Sequence, residues 1–277
     1  MSSPHLPPEE IRRQDQLAFD YARRPLAGRV VLVAGGTGGL GAATAALLMT
    51  EGAYPILGYR ENKGRAELLQ QQLRDAYGAP VGLVQGDIRE IAVRRRYLEI
   101  VLRAKNRIDG LVCLAGDPAR AKTEELESAA FQGAFDENTV APLLLARDVA
   151  MAMRERSTPG AIVLLSSMQG VAPFDGSLAY GTSKAALGHG ARILAKEFGG
   201  PGGVTVNIVA PGVTSAGMAR ASIASGKYDG LIERGVISRF AKPEDVARVV
   251  RLLIDPESYI TGQIIVVDGG LTLRRDA

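Results

Sequence analysis

The chain has almost no cysteine or histidine: its 277 residues include one cysteine, Cys113, and two histidines, His5 and His189. A single cysteine cannot form a disulfide within the chain, and this one lies in an apolar run, which indicates a reduced, cytoplasmic setting. So few ligands cannot build a zinc-type cluster, and we expect no metal site. Histidine-dependent hydrolysis is disfavoured too, because there is no Gly-x-Ser-x-Gly elbow and neither histidine has a clear acidic partner.

Long apolar runs and a strong charge of one sign are also missing. No apolar run approaches the ~20 residues of a membrane-spanning helix, and Met1–Gly28 is too polar for a signal peptide. The formal net charge is only +3, and the arginine run Arg94–Arg96 is typical of a solvated helix face. We therefore expect neither a membrane nor a nucleic acid as partner.

What the sequence does contain is a regular alternation of short aliphatic runs and longer amphipathic segments. This alternation predicts an α/β fold, a doubly wound parallel sheet of the Rossmann type with about seven strands and helices on both faces. We expect an N-terminal extension over residues 1–27, with a docked or frayed helix at Glu9–Tyr21, and one domain over residues 28–277. The predicted strands are Val30–Ala34, Pro55–Gly58, Val81–Gln85, Gly110–Leu114, Ala161–Ser166, Val204–Val209 and Ile264–Val267. The predicted helices are Leu40–Glu51, Lys63–Tyr77, Ile91–Lys105, Phe135–Arg156, Ala179–Phe198 and Pro243–Ile254.

A glycine-rich segment follows the first predicted strand and leads straight into an alanine-rich helix. Backbone N–H groups and the positive end of a helix would there face a pyrophosphate. Glycine is needed because a Cβ would obstruct the approach of a ligand, or of the helix to the strand. A tight turn is the alternative interpretation, but the placement favours dinucleotide binding. The segment consists of Gly35, Gly36, Thr37, Gly38, Gly39, Leu40 and Gly41.

Tyr180 and Lys184 are the candidate acid–base pair. On a helix, positions i and i+4 share one face, so the phenol and the ammonium point the same way. A free tyrosine has a pKa near 10, so acid–base work near neutrality needs a lowering of roughly 3 units, about 4 kcal/mol. A neighbouring ammonium is the right kind of group to contribute that lowering. A surface pair on one helix turn is the alternative.

The glycine spacing and the Tyr-x-x-x-Lys spacing together resemble the short-chain dehydrogenase/reductase family, and similar motifs continue in order over about Leu26–Leu273. Ala34 and Leu114 depart from it, since the family has a threonine and an asparagine there that tie the first and fourth strands together. We expect apolar packing to replace them. The further similar segments are Gly86-Asp87-Ile88, Cys113-Leu114-Ala115-Gly116, Asn138, Asn207–Gly212, Ser238–Ala247, Tyr259–Gln263 and Val267–Gly270.

The resemblance implies a catalytic tetrad. Ser167, which lies thirteen residues before Tyr180, would hold the carbonyl, and Tyr180 would give or take the proton. Lys184 would lower the pKa of Tyr180 and hold the nicotinamide ribose, and Asn138 would keep a water in the proton relay. Ser166 and Ser183 are expected to be structural.

The resemblance also implies a nicotinamide cofactor, and the end of the second strand favours NADP(H). NAD-specific enzymes place a carboxylate there for the ribose hydroxyls, whereas this chain has the uncharged Tyr59 and then Arg60, whose planar fork suits a phosphate. The negative charge of Glu61 is unfavourable beside a phosphate, whereas Lys63 is close enough in sequence to contribute a positive charge. The expected cofactor contacts are Gly35, Thr37, Gly38, Gly39, Leu40, Gly41, Tyr59, Arg60, Asp87, Ile88, Ala115, Gly116, Tyr180, Lys184, Pro211, Gly212 and Val213.

The expected function is that of an NADP(H)-linked carbonyl reductase or alcohol dehydrogenase, and 3-oxoacyl thioesters are one substrate class of the family. Enoyl reduction is less favoured, because that branch separates its Tyr and Lys by six residues rather than three. An NAD-linked alcohol dehydrogenase and a catalytically silent nucleotide-binding regulator both stay open as hypotheses. The segment between Gly212 and Ser238 would be the substrate lid, with a mixed, mostly apolar pocket suggested by Met168, Gln169, Phe174 and Met218.

The family usually forms tetramers through its two long helices, here Phe135–Arg156 and Ala179–Phe198. We therefore expect a homotetramer, with a dimer as the alternative. The second helix carries small residues that permit close helix approach, namely Ala185, Ala186, Gly188, Gly190 and Ala191.

Overall fold

The structure, a computed structural model, describes residues 24–119 and 122–274, and its centre is a parallel sheet of seven strands in the order β3-β2-β1-β4-β5-β6-β7. The predicted doubly wound α/β fold is confirmed. The strands are β1 (Val30–Ala34), β2 (Tyr54–Tyr59), β3 (Gly82–Gln85), β4 (Gly110–Cys113), β5 (Gly160–Leu165), β6 (Val204–Pro211) and β7 (Ile264–Val267). The helices are α1 (Gly39–Thr50), α2 (Lys63–Tyr77), α3 (Ile91–Lys105), α4 (Ser128–Phe135), α5 (Ala141–Glu155), α6 (Leu178–Phe198), α7 (Arg220–Ala224), α8 (Asp229–Glu233) and α9 (Pro243–Ile254).

The sheet is covered on both faces because its strands are apolar on both sides. In β1, Val30 and Leu32 belong to a core that includes residues of α3, α5 and α6. Val31 and Val33 belong to a second core with residues of α1, α2 and α9. Alternate side chains of a strand point to opposite faces, so one short apolar run supplies both cores. Cys113 ends β4 in the middle of the sheet and is buried with a free thiol.

The packed structure begins before residue 28. Leu26, in the last part of the predicted extension, is buried in the second core. The N–H of Gly28 donates to the carbonyl of Gly52, 3.0 Å away, at the end of α1. The predicted helix Glu9–Tyr21 and the rest of residues 1–23 lie outside the described residues.

The helix predicted over Phe135–Arg156 is not one regular helix. It starts earlier, as α4, and a π turn over Asp136–Val140 separates α4 from α5. Pro142 gives the physical reason, because it has no N–H to donate to the carbonyl of Asn138 four residues earlier, and its ring would clash with that carbonyl in an α-helix. The prediction of one continuous helix was therefore wrong, and Asn138 lies in the irregular turn.

The small residues of α6 are mostly used within the chain. A Cβ on Gly190 would lie 2.5 Å from Leu143 of α5, and a Cβ on Gly188 would lie 3.0 Å from a side chain of β7. Ala191 is buried, while Ala185 is exposed. Most of the stripe thus serves close packing inside one chain, which leaves little of it for a second copy.

Candidate active site

A cleft of about 940 Å³ runs along the carboxyl edge of the sheet and brings most of the predicted site residues together. In a doubly wound sheet this edge collects the loops that follow every strand. Asn138 and Lys184 are buried just beneath its surface. The predicted residues that line the cleft are Gly35, Thr37, Gly38, Gly39, Leu40, Gly41, Tyr59, Arg60, Asp87, Ile88, Ala115, Gly116, Ser167, Tyr180, Pro211, Gly212 and Val213.

The glycine turn in the middle of the cleft fits a phosphate group. Gly35 has a φ of +76°, and a Cβ there would lie 2.9 Å from the backbone nitrogen of Ala115. A Cβ on Gly41 would lie 2.5 Å from Gly36, so the first turn of α1 packs directly on the loop. Gly38 caps α1 without a side-chain acceptor. The N–H groups at the start of α1 therefore have no side-chain acceptor from the cap residue and are available to an anion, although the methyl group of Ala216 lies close to Gly39.

Tyr180 and Ser167 meet at one end of this cleft. Ser167 follows β5, and its hydroxyl accepts a hydrogen bond from the N–H of Gln169, 3.2 Å away. Burial raises the pKa of Tyr180, while a hydrogen bond with Ser167 acts in the opposite direction. The sequence led us to expect a lowered pKa. In this environment desolvation of the phenolate is the largest effect.

Lys184 lies one helical turn beyond Tyr180, with its Nζ 5.8 Å from the phenol ring centroid. Its side chain is almost fully buried, and Nζ donates to the carbonyl of Leu165, 2.9 Å away. Burial lowers the pKa of Lys184 to about 8. A Cβ on Gly116 would lie 3.1 Å from this Nζ. The loop after β4 therefore needs glycine at this position to admit the ammonium.

Asn138 connects the π turn to the loop after β4. Its Oδ1 accepts from the N–H of Asp117 at 3.0 Å, and its Nδ2 donates to the carbonyl of Asp117 at 2.9 Å. The side-chain amide thus pairs with a backbone segment as a neighbouring strand would. A water relay would depend on the backbone carbonyl of Asn138, which lacks an α-helical donor because of Pro142.

Three hydroxyl groups near the site bond to backbone carbonyls of α6. The hydroxyl of Ser166 donates to the carbonyl of Lys184 at 2.9 Å, and that of Ser183 donates to the carbonyl of Tyr180 at 2.8 Å. Thr139, in the π turn, donates to the carbonyl of Ser183 at 2.7 Å. The contacts of Ser166 and Thr139 tie α6 to the end of β5 and to the π turn, whereas the contact of Ser183 lies within α6. Both serine hydroxyls are bonded to backbone carbonyls, as a structural role requires.

The two departures from the family pattern are accommodated by backbone bonding and apolar packing. The N–H of Leu114 donates to the carbonyl of Ala34 at 2.8 Å. The side chain of Leu114 belongs to the second core. The first and fourth strands are therefore held together at this point without the hydroxyl and the amide.

The opposite end of the cleft is charged and more exposed, and we call Arg60, Asp87, Arg89 and Glu137 the charged end. Arg89 forms a bidentate pair with Asp87, with Nε–Oδ1 and Nη2–Oδ2 distances of 3.1 and 2.6 Å. This pairing lowers the pKa of Asp87. Arg89 Nη1 also lies 2.9 Å from Glu137 Oε1. By contrast, Asn138, Ser167, Tyr180 and Lys184 form the buried end.

Sequence reasoning missed Arg89, Glu137 and Asp117. Arg89 is two residues from Asp87, a spacing at which a side chain reaches back to an aspartate, and this could have been noticed. Glu137 is a charged residue directly beside Asn138, and its partners come from two distant loops. Asp117 acts through its backbone, which no residue pattern reveals.

The outer part of the cleft, beside Tyr180, contains the segment expected to be the lid. That segment carries α7 and α8, and Tyr228 packs with Val213 and Met168 in a small third core. Of the residues expected to line the pocket, Met168 and Gln169 do so. Phe174 packs against the third core instead, and the side chain of Met218 lies outside the described part of the structure.

Other chemistries find little support in the described residues. No group of three or more His, Cys, Asp and Glu side chains within 24–119 and 122–274 is placed to hold a metal. His189 is exposed on α6, and His5 lies outside the described residues. Burial raises the pKa of Cys113 to about 11. None of the helices in these two ranges is long and apolar enough to cross a membrane.

Comparisons with known proteins agree with this geometry. A family model described as enoyl-(acyl carrier protein) reductase matches residues 34–272. A solved short-chain type dehydrogenase/reductase from Mycobacterium ulcerans superposes with a TM-score of 0.83 at 28% identity, covering 90% of this chain and 92% of that one. The chain belongs to the short-chain dehydrogenase/reductase family.

Two further relatives show the range of this family. A glucose 1-dehydrogenase of Gluconobacter oxydans is 33% identical over 254 residues, 90% of this chain and 94% of that protein. An actinorhodin polyketide ketoreductase variant solved with NADPH has a TM-score of 0.82 at 27% identity, covering 89% of this chain and 98% of the other. The chain is therefore a member of a family of oxidoreductases that use NAD(P)(H) and act on small molecules.

Proposed function

We propose that this protein reduces a carbonyl group to a secondary alcohol with NADPH. The observation that carries the proposal is the buried end of the cleft: Tyr180, Ser167 and Lys184 converge beside a glycine turn that fits a pyrophosphate. The cofactor would supply the hydride. The protein's own residues would bind the substrate oxygen, deliver one proton to it and keep water away.

The roles of these residues follow from their contacts. Ser167, already hydrogen-bonded with Tyr180, would donate to the substrate oxygen. Tyr180 would transfer its proton to that oxygen as the carbonyl carbon accepts the hydride. Because burial raises the pKa of Tyr180 above its ordinary value, the phenol carries its proton at neutral pH and is in the form that can donate to a carbonyl oxygen.

Lys184 and Asn138 would restore the proton. The Lys184 ammonium is bound to the Leu165 carbonyl, and with a pKa of about 8 it can release a proton near neutral pH. Its place below Gly116 suits a contact to the nicotinamide ribose. The Asn138 carbonyl would hold the water that relays a proton to Lys184.

The preference for NADP(H) is supported by the second strand. Tyr59 stands where an NAD-specific enzyme has a carboxylate, and Arg60 and Arg65 both line the adjacent part of the cleft. The polyketide ketoreductase solved with NADPH is consistent with this preference. An NAD-linked alcohol dehydrogenase is the second candidate, favoured by one observation: Arg60 is paired with Glu61 at 3.1 Å and with Glu137 at 3.6 Å.

The substrate would be a small ketone or a 3-oxoacyl thioester. Met168, Val213 and Tyr228 offer apolar surface near Tyr180, while Gln169 and Lys227 offer polar groups farther out. The test is a panel of aldehydes, ketones, 3-oxoacyl thioesters and sugars, followed by nicotinamide absorbance with each cofactor. Reduction of a ketone that depends on Tyr180 would support the proposal, and no turnover with any member in either direction would contradict it.

The protein would act as a homotetramer. The small residues of α6 are mostly used within the chain, so they do not support this assembly. The support comes from large apolar side chains that are exposed on the two long helices: Met151 of α5 and Leu178 and Ile193 of α6. These side chains lie on the two helices through which the resemblance implies assembly, and a contiguous apolar patch on a surface marks an interface. Light scattering at micromolar concentration tests the assembly, and a monomer for wild type would contradict it. Ile193→Asp should dissociate the assembly if α6 forms the contact.

A further inference from the structure

The charged end contains a carboxylate, that of Glu137, to which the proposed catalytic chemistry gives no role. Glu137 lies in the π turn and is contacted by two arginines, Arg89 at 2.9 Å and Arg60 at 3.6 Å. The Glu137 side chain is only 21% exposed, and it lines the cleft together with both arginines. A carboxylate has thus been placed among the cationic groups expected to bind a phosphate.

The pair of Arg60 and Glu137 crosses the binding groove. Arg60 directly follows β2, whereas Glu137 belongs to the helical segment that follows β4, and β1 lies between these two strands in the sheet. The contact therefore passes over the carboxyl end of β1, where the glycine turn begins. Whatever occupies this part of the groove must accommodate the pair or separate it.

The two contacts of Glu137 differ in strength. Arg89 is close to Glu137 and is fixed by its bidentate pair with Asp87. Arg60 is farther away and half-exposed, and its other partner is the outward-facing Glu61. Of the two ion pairs of Glu137, the one with Arg60 is therefore the one that can break. Glu137 would then still be paired with Arg89.

We propose that Glu137 is a cofactor-specificity residue, an internal counter-ion that competes with the 2′-phosphate of the cofactor for Arg60. The inference rests on the proposed use of a nicotinamide dinucleotide by this cleft. When the 2′-phosphate binds, Arg60 exchanges Glu137 for the phosphate. A cofactor with a free 2′-hydroxyl leaves the pair in place. Glu137 therefore reduces the preference for the phosphorylated cofactor that Arg60 alone would give.

Glu137→Gln is the direct test, because it removes the charge and keeps the size of the side chain. The anion that competes with the phosphate for Arg60 disappears, so we expect adenosine 2′,5′-bisphosphate to bind about three- to tenfold more tightly relative to 5′-AMP. Titration calorimetry with these two nucleotides measures the ratio without any substrate or turnover. NADP⁺ and NAD⁺ should show the same shift.

Glu61→Gln is the matched control. It removes the same charge from the same arginine, at 3.1 Å, but the Glu61 side chain is 80% exposed and does not line the cleft. We expect its binding ratio to stay within about twofold of wild type. In the Arg60→Ala background, Glu137→Gln should no longer change the ratio.

Three outcomes would overturn the inference: an unchanged ratio in Glu137→Gln, an equal change in Glu61→Gln, or a change that persists without Arg60. If Glu137→Gln does not fold, Glu137→Asp shortens the reach toward Arg60 and should shift the ratio in the same direction. A wild type that prefers NAD⁺ would contradict the proposed NADP(H) preference alone. The role of Glu137 would still be supported if its removal shifted the ratio toward the phosphorylated nucleotide.

Discussion

At the buried end of the cleft Asn138, Ser167 and Lys184 are bonded to the backbone, whereas at the charged end the side chains are bonded to one another. Lys184 donates to the Leu165 carbonyl and Asn138 pairs with both backbone atoms of Asp117. Arg89, in contrast, joins the carboxylates of Asp87 and Glu137, and Arg60, which is 50% exposed, shares Glu137 with Arg89 and also pairs with Glu61. Backbone partners fix positions, and exposed ion pairs can be exchanged. The difference indicates that chemistry is fixed at one end and that cofactor choice is adjustable at the other.

The largest effect should come from the buried end, with Tyr180→Phe. Removing the proton donor in contact with Ser167 should lower kcat by about a thousandfold or more, because general acid–base groups contribute roughly 10²–10⁴-fold. Cofactor affinity, measured by calorimetry, should change less than about threefold. Tyr259→Phe, at a fully exposed tyrosine, is the control. A Tyr180→Phe variant that kept a tenth of the wild-type rate would refute the assignment of Tyr180.

Lys184→Met, also at the buried end, should change activity and stability in opposite directions. The variant should lose about a hundredfold in kcat, yet be more stable at pH 7 by about 2 kcal/mol, since burying an ammonium is unfavourable. Burial holds the pKa of Lys184 at about 8, below its ordinary value of 10.5. The unfolded chain therefore binds this proton more tightly, and wild-type stability should rise between about pH 8 and pH 10.5.

Denaturant unfolding across this pH range measures the effect. The advantage of Lys184→Met should be greatest below about pH 8 and should vanish above about pH 10.5. Lys196→Met, at an exposed lysine on the same helix, is the control and should show no such window. Equal stability of the Lys184 variant and wild type at every pH would show that the buried ammonium costs nothing.

Arg60→Ala should produce a smaller effect, confined to cofactor choice. A hydrogen bond to a charged group contributes about 1.5–3 kcal/mol, so the preference for NADP(H) over NAD(H) in kcat/KM should fall about ten- to a hundredfold. The rate with saturating cofactor should barely change. Arg95→Ala, on the outer face of α3, is a control for lost positive charge. A preference untouched by Arg60→Ala would remove the basis for assigning NADP(H).

Ionic strength should give the smallest effect and act on one end only. Between about 0.05 and 0.5 M salt, the Kd of adenosine 2′,5′-bisphosphate should rise about threefold, because the half-exposed charges are screened. The value of kcat at saturating substrate and cofactor should change less than about twofold, since the buried groups are shielded from salt. A salt effect of equal size on both quantities would erase the distinction between the two ends.

The fold and the buried end were largely predictable from the sequence. The strands are continuous apolar runs, which local patterns specify, and Tyr180, Lys184 and Ser167 lie at spacings that the family resemblance implies. The charged end was not predictable to the same extent, because Glu137 meets Arg60 and Arg89 only after three separate loops converge. The raised pKa of Tyr180 was missed for a related reason: it depends on the depth of burial, which spacing alone does not give.

The position of Cys113 in the central strand makes the lone thiol a reporter of how the sheet opens. With a pKa of about 11 and a buried side chain, the sulfur is protected from thiol reagents while β4 stays paired with β1 and β5. A thiol reagent can then label Cys113 only when the middle of the sheet separates. The labelling rate therefore reports how often the core opens and does not depend on movements of the lid. A bound dinucleotide, which would contact the loops after both β1 and β4, should slow the labelling of Cys113 by a factor that grows with its affinity.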